Sequence, residues 1–237
     1  MRCSRWHSTR RKLNHEIKVI YYKEKGFNYS KIINFGVKNS DGDFVVQLNN
    51  DTKLITPNWL EKMIGFCQRP DVGACGAKLY YSDNTIQHAG IFVGCLTVAA
   101  HIFRGLPKGN LGYFGREDLI QNMNAVTAAC IMTRRDIYEK VGYMNEQFAV
   151  AFNDIDFCLK IRKNGYLIVY DPFVEFIHYE SKTRGNDTDP DKINRFKGEI
   201  DLFLNTWKEK LESGDEYYNK NFSLDSDKYD LNIKDKD

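Results

Sequence analysis

Two carboxylates and one imidazole stand where an α/β chain collects chemistry. Asp51 follows the apolar run FVVQL, Asp154 opens the segment NDIDFCLKIRKNG, and His178 closes FVEFIH. In open α/β sheets, ligands bind outside the carboxyl ends of the strands. A carboxylate and an imidazole converging on one point can hold a divalent cation. A second carboxylate near them can take a proton as a general base. Each residue also has a plainer role. Asp51, with Asn49 and Asn50, is an ordinary turn former; Asp154 is a helix cap; His178 is a hydrogen-bonded strand-end histidine. Spacing alone leaves both readings open, because the three lie far apart in the chain.

The elements that must position them alternate in type. EIKVIYY (16–22) alternates apolar and polar residues and predicts a strand. NYSKIINFGVKNS predicts a short helix with Ser30 as its N-cap, closed by the turn SDGD. FVVQL is a near-continuous apolar run, suited to a sheet covered on both faces. TPNWLEKMIGFCQ places Pro57 near a helix start and Trp59, Leu60, Met63, Ile64 and Phe66 at helical spacing. GACGAKLYY predicts a short strand and SDNTIQHAGIFVG a turn with another; the glycine-spotted stretch 104–121 predicts a loop. Further on, a strand is expected over 126–132, a helix closed by Gly142, a helix from Asp154 to a stop at Gly165, the strand YLIVYD ended by Pro172, and a last strand to His178. This is the grammar of an α/β layer fold. From Ile193 to Trp207 the apolar positions predict one amphipathic helix, and the charged residues 225–237 predict a mobile tail. The expected division is 1–181 as the α/β domain, 182–224 as a helical extension packed on it, and 225–237 as the tail. Trp59 and Trp207 are expected in the core, and Asp136 as a first-turn charge.

Composition excludes several classes. A hydrophobic share of 42%, a charged share of 28%, 14 Tyr and 15 Phe describe a soluble globular chain with a sizeable core. A net charge of +2 makes no general case for nucleic acid. The exception is the cluster Arg2, Arg5, Arg10, Arg11 and Lys12, which reads as a solvated helix face or as a contact for a membrane surface or anionic ligand. The six cysteines form no CxxC pair and have no histidine at zinc-finger spacing, so buried reduced thiols in a cytoplasmic protein are expected. No apolar stretch is long enough to span a bilayer, which leaves peripheral attachment to the inner face of the membrane open.

The order of these segments resembles the family 2 glycosyltransferases. NFGVKNSDGDFVVQLNNDT is similar to the family's N-x-G, G-[DE], strand and metal-binding D-x-D succession. AVTAACIMTRRDIYEKVGYMNEQFAVAFNDIDFCLKIRKNGYLIVYDPFVEFIHYES resembles its acceptor half, with V-T-x-A, R-R, G-x-x-[DN]-E, E-D-x-D-[LF] and a late histidine. QHAG and YYNKNFSL point to the rhamnosyltransferase-like branch that builds O-antigen and other cell-surface polysaccharides. The resemblance runs from about Ile17 onward. It implies a GT-A fold, a mixed central sheet flanked by helices, and transfer from a nucleotide-diphosphate sugar with inversion at the anomeric carbon. It further implies that Asp51 and His178 ligate Mg²⁺ or Mn²⁺, that Asp154 is the catalytic base, and that Asn34, Asn49 and Asn50 contact the donor. His88, Thr127 and Asp156 would contact the acceptor. Asn49 stands in place of the first aspartate of D-x-D, and Asn153 where the family commonly has Glu. The implied partners are a UDP- or dTDP-sugar and a glycan or lipid-linked acceptor.

Nothing in the chain resembles the family's opening strands, S-I-[IV]-[IV]-P-x-[YF]-N and D-[DN]-x-S, which hold the nucleoside. The expectation is an N-terminally truncated domain with an exposed sheet edge, open to a partner chain that supplies those strands. The alternative is an inactive fragment, or a glycan-binding or scaffolding module that keeps the fold.

Overall fold

The structure, a computed structural model, describes residues 17–179 and 189–233. The basic cluster at 2–12 and Cys3 lie outside the described residues. In chain order the elements are α1 (Tyr29–Lys38), β1 (Phe44–Leu48), β2 (Thr52–Leu54), α2 (Trp59–Cys67), β3 (Val72–Tyr80), β4 (Ile86–His88), β5 (Ile91–Val93), β6 (Ala99–His101) and β7 (Gln121–Met123). They continue with β8 (Cys130–Arg134), α3 (Arg135–Lys140), α4 (Asn153–Lys163), β9 (Leu167–His178), α5 (Pro190–Thr206) and α6 (Lys208–Ser213).

The main sheet runs β1-β8-β3-β9-β2, with β4 added on β3 and β7 on β9; β5 and β6 form a separate pair. β3 and β9 are parallel, while β8 lies antiparallel to both β1 and β3. All nine positions of β3 are buried. Its residues divide between two cores. Ala74 and Tyr80 join the large cluster that includes Ile155, Phe157 and Phe203. Cys75, Ala77 and Leu79 join a smaller one with Met63 and Cys67 of α2. A strand covered on both faces needs apolar residues throughout, which explains why this stretch shows no alternation. Gly76 has a specific use. A Cβ there would stand 2.5 Å from Val126, so its absence lets the 126–129 segment lie directly on the sheet.

Several expectations are corrected. Residues 17–22 form no strand; Val19 is 50% and Tyr21 76% exposed. The cap of α1 is Asn28, whose side chain accepts from Lys31 N, while the Ser30 hydroxyl donates to Phe148 O at 2.7 Å. The strand expected over 126–132 starts only at Cys130; Val126 to Ala129 are irregular. Pro172 does not end a strand. β9 continues through it because the pairing jumps from Ala77↔Asp171 to Lys78↔Glu175, and the bulge asks no ladder hydrogen bond of the proline. The C-terminal helix is interrupted at Trp207, whose indole N–H donates to Asp156 Oδ1 at 3.0 Å. Nor is the described part of the charged tail loose. Tyr229 is 5% exposed and sits among Phe92, Phe103, Tyr113, Tyr218 and Phe222. Five cysteines, Cys67, Cys75, Cys95, Cys130 and Cys158, are buried and free. Among the described residues no helix is long and apolar enough to cross a membrane.

Candidate active site

β1 ends at Leu48 and the chain turns at once into β2, so Asn49, Asn50 and Asp51 occupy a tight corner. Thr52 closes it by donating its hydroxyl to Asn49 O at 2.8 Å. β2 then pairs with the end of β9 in a register that puts Thr52 opposite His178, and Tyr179 N–H donates to Asp51 O at 2.9 Å. Backbone pairing thereby brings Asp51 Oδ1 to 3.0 Å from His178 Nε2. Asn49 Nδ2 is 3.2 Å from the same ring nitrogen. The other ring nitrogen, Nδ1, donates to Gln87 Oε1 at 2.7 Å. With the proton fixed on Nδ1, a neutral His178 turns its Nε2 lone pair toward Asn49 and Asp51.

At this distance Asp51 and His178 form an ion pair when the ring carries a proton on Nε2, and lack a hydrogen bond when it does not. Asp51 Oδ1 is a buried carboxylate oxygen with no hydrogen-bond partner. A buried carboxylate oxygen without a hydrogen bond is satisfied either by a proton on Nε2 or by a cation beside it. Oxygen and imidazole donors suit Mg²⁺ or Mn²⁺. Among the described residues no group of three or more histidine, cysteine, aspartate or glutamate side chains could by itself hold a metal. Asp51 and His178 therefore form a partial ligand set, while Asn49 turns its Nδ2–H to the ring and its oxygen to Tyr29.

Asp154 belongs to the first turn of α4 and meets the stretch that follows Val126. Its Oδ2 accepts from Ala128 N at 3.3 Å and its Oδ1 from Ile155 N at 2.9 Å. The turn before it is held hard. Phe152 is left-handed at φ 60, Asn153 Nδ2 donates to Val150 O at 2.9 Å, and buried Glu199 of α5 accepts from Val150 N and Ala151 N at 2.8 and 3.2 Å. Asn153 is thus a backbone clamp at 4% exposure.

The irregular stretch Val126 to Ala129 joins the two halves. Ala128 N holds Asp154, Ala128 O accepts from Tyr29 at 3.2 Å, and Ala129 O accepts from Asn49 N at 3.0 Å. The Tyr29 hydroxyl lies 3.5 Å from Asn49 Oδ1. Burial, reinforced by the Asp154 carboxylate, raises the Tyr29 phenol far above its ordinary value, so it remains a donor. Thr127 is half-buried, and its hydroxyl accepts from Ala129 N at 3.3 Å.

Sequence expectations divide at this point. Asp51, His178 and Asn49 meet directly, Asp154 and Thr127 are tied to the 128–129 backbone that also holds Asn49, and Asn50 stands exposed in the same corner as Asn49. Asn34 does not join them. At 2% exposure its amide donates to Met144 O and Glu146 Oε1 and its oxygen accepts from Met144 N, so it fastens the 144–146 loop instead of reaching a donor. His88 is fully buried and cannot touch an acceptor; Thr127 N donates to its Nε2 at 3.4 Å, and its Nδ1 lies 3.1 Å from His101 Nδ1. Burial first, then His101 and His178, push the His88 imidazole well below the usual range, so it is neutral. Asp156 also leaves the site. Two residues along a helix rotate a side chain to nearly the opposite face, and Asp156 is 1% exposed beneath Trp207, beside a cleft of ≈ 540 Å³ lined by Lys38, Tyr143 and Lys160. Sequence reasoning missed Tyr29, Gln87, His101 and Glu199, each of which acts through a contact distant in the chain. Only Gln87 carried a signal, as part of QHAG.

The family described as "Glycosyl transferase family 2" matches residues 6–142. "Uncharacterized protein y4gI" of Sinorhizobium fredii is 44% identical over 206 residues, 86% of this chain and 23% of that protein. "O-antigen biosynthesis protein RfbC" of Myxococcus xanthus is 35% identical over 202 residues, 84% of this chain and 15% of that protein. The chain therefore spans under a quarter of either relative. Among solved structures, GalNAc-T7 with UDP, GalNAc and Mn²⁺ superposes with a TM-score of 0.61 at 9% identity, over 89% of this chain and 41% of that one. This likeness shows the GT-A architecture of the fold.

Proposed function

The chain belongs to glycosyl transferase family 2, and from that premise we propose that it carries the metal, diphosphate and base half of an inverting glycosyltransferase of cell-surface polysaccharide synthesis. One observation carries the reading: the backbone of Ala128 and Ala129 holds Asp154 on one side and Asn49 and Tyr29 on the other. A base and a leaving-group site fixed on the same two peptides suit an in-line displacement. The donor is a nucleotide-diphosphate sugar, of the UDP or dTDP kind, and the acceptor is a hydroxyl of a glycan or lipid-linked saccharide. Polysaccharide synthesis is supported by the likeness to RfbC.

Asp51 and His178 would hold Mg²⁺ or Mn²⁺, which when bound neutralises the departing diphosphate. Asp154 receives the acceptor proton as the acceptor oxygen forms its bond to the anomeric carbon. The bond from that carbon to the phosphate oxygen breaks on the opposite face, so configuration inverts and a nucleoside diphosphate leaves. Asp154 keeps the carboxylate aimed through the Ala128 and Ile155 amides, and Tyr29 keeps Asn49 beside His178. Titration calorimetry with UDP and dTDP in the presence and absence of Mn²⁺ tests the reading. Metal-dependent binding of one of them is expected; binding of neither would sink it.

A second observation bears on the partner. β1 pairs with β8 alone among the described residues, and beside it lies a cleft of ≈ 590 Å³ lined by Ile20, Tyr22, Ile33 and Phe35. Gln47 is 3% exposed with both carboxamide atoms unbonded. An open edge next to an orphaned buried amide favours completion of the sheet by a strand from outside the described residues. Slow amide exchange on the outer edge of β1 would support that strand, and fast exchange would exclude it.

A further inference from the structure

β4 is three residues long, wholly buried, and makes no direct approach to a substrate, yet two of its side chains reach the site. His88 supports the Thr127 amide, and Gln87, 3% exposed, meets His178. The Gln87 contact is the shorter, at 2.7 Å, and it falls on the ring nitrogen that faces away from Asp51.

A neutral imidazole carries one proton, and free histidine gives no strong reason for it to sit on Nδ1. An amide oxygen in hydrogen-bond contact with Nδ1 supplies that reason: an oxygen can only accept, so Nδ1 must be the donor. The lone pair is then left on Nε2, the nitrogen beside Asp51 Oδ1 and Asn49 Nδ2. We infer that Gln87 is a positioning residue that sets the tautomer and orientation of His178, and through them the affinity of the Asp51–His178 pair for a divalent cation. Partners behind a metal-binding histidine typically alter metal affinity 10–100-fold when removed. The neighbouring peptides already hold the backbone of His178 through the β2 pairing, so Gln87 acts on the ring and not on the strand.

This inference rests on the reading of Asp51 and His178 as the cation site, and the experiment separates the two. Two-bond ¹H–¹⁵N correlation spectra of ¹⁵N-histidine-labelled, metal-free protein report the tautomer of each ring, with His178→Asn identifying the His178 signals. Wild type should show His178 protonated on Nδ1. Gln87→Leu should move the proton largely to Nε2 and weaken Mn²⁺ binding, followed by electron paramagnetic resonance of free Mn²⁺, by about 10–100-fold. Gln87→Glu keeps an acceptor at the same place, so it should retain the Nδ1–H form and bind Mn²⁺ at least as tightly as wild type. It also serves as the folded control should the leucine variant be unstable. Persistence of Nδ1–H in Gln87→Leu, or an Nε2–H form in Gln87→Glu, would overturn the inference. Wild type that shows the Gln87-dependent tautomer but binds no Mn²⁺ would support the hold of Gln87 on His178 and overturn its link to a cation.

Discussion

Asp51 and His178 stand side by side because two strands are in register. Thr52 is paired with His178 and the Tyr179 amide is bonded to the Asp51 carbonyl, while Asp51 Oδ1 makes no hydrogen bond at 3.0 Å from the ring. A site held by its backbone should survive loss of one side chain. Asp51→Asn is therefore expected to keep its melting temperature within a few degrees. It should lose Mn²⁺-dependent nucleotide binding by roughly 10-fold or more, since a neutral amide is a weak ligand for a hard cation. Calorimetry and thermal melts check both halves; an unchanged nucleotide affinity would remove Asp51 from the cation site.

Asp154→Asn separates binding from chemistry. The amide oxygen can still accept from Ile155 N, while the longer bond from Ala128 N to the other carboxylate oxygen is lost, so the fold should hold and nucleotide affinity should change by less than transfer does. Transfer should fall by about 10²–10⁴-fold, the usual weight of a general base. Single-turnover rates beside nucleotide titrations measure the split.

Removal of metal should act on the reaction and not on the core. Chelation by EDTA is expected to abolish transfer, and Mn²⁺ or Mg²⁺ to restore it. Full activity in excess EDTA would contradict a cation at Asp51 and His178.

Glu199 ties the C-terminal helix to the turn that precedes Asp154. Glu199→Ala leaves Val150 and Ala151 amides without their carboxylate, at a cost of about 1.5–3 kcal/mol in urea unfolding. Glu199→Gln, which can still accept at one oxygen, should recover part of it. Equal stability of all three proteins would mean that α5 does not hold this turn.

Asp156 should make stability depend on pH. Burial raises its carboxyl pKa, against the opposing Trp207 hydrogen bond and Lys160 charge. A raised folded pKa favours the protonated form, so its contribution is complete below the ordinary carboxylate range and is lost as pH rises through the raised value. Asp156→Asn cannot ionise and its oxygen can still accept from Trp207. Relative to wild type it should gain stability as pH increases from about 4 to neutrality. Denaturant midpoints across that range give the sign, and a pH-independent difference would refute it.

Much of the site was legible because it is written in local patterns. The apolar run FVVQL followed by polar residues marks a strand and its corner, and the motif order carries Asp51, Asp154 and His178 together. The errors share a cause. Asn34, His88 and Asp156 are polar residues inside family-like motifs, and whether such a residue faces a ligand or a backbone is decided by what folds against it. Val126 to Ala129 has the composition of a strand, but Gly76 admits it against the sheet as an irregular spine.

By itself the sequence determined the alternation of strands and helices, the covered sheet and the candidates for base and cation, since these follow from side-chain periodicity and chemistry. Only the tertiary structure decided that the β2–β9 register sets Asp51 against His178, that Gln87 meets the His178 ring, and that Ala128 joins Asp154 to Tyr29. Hydrogen bonds between residues far apart in the chain leave no mark in local composition. They exist only once burial of the apolar faces has brought the strands together.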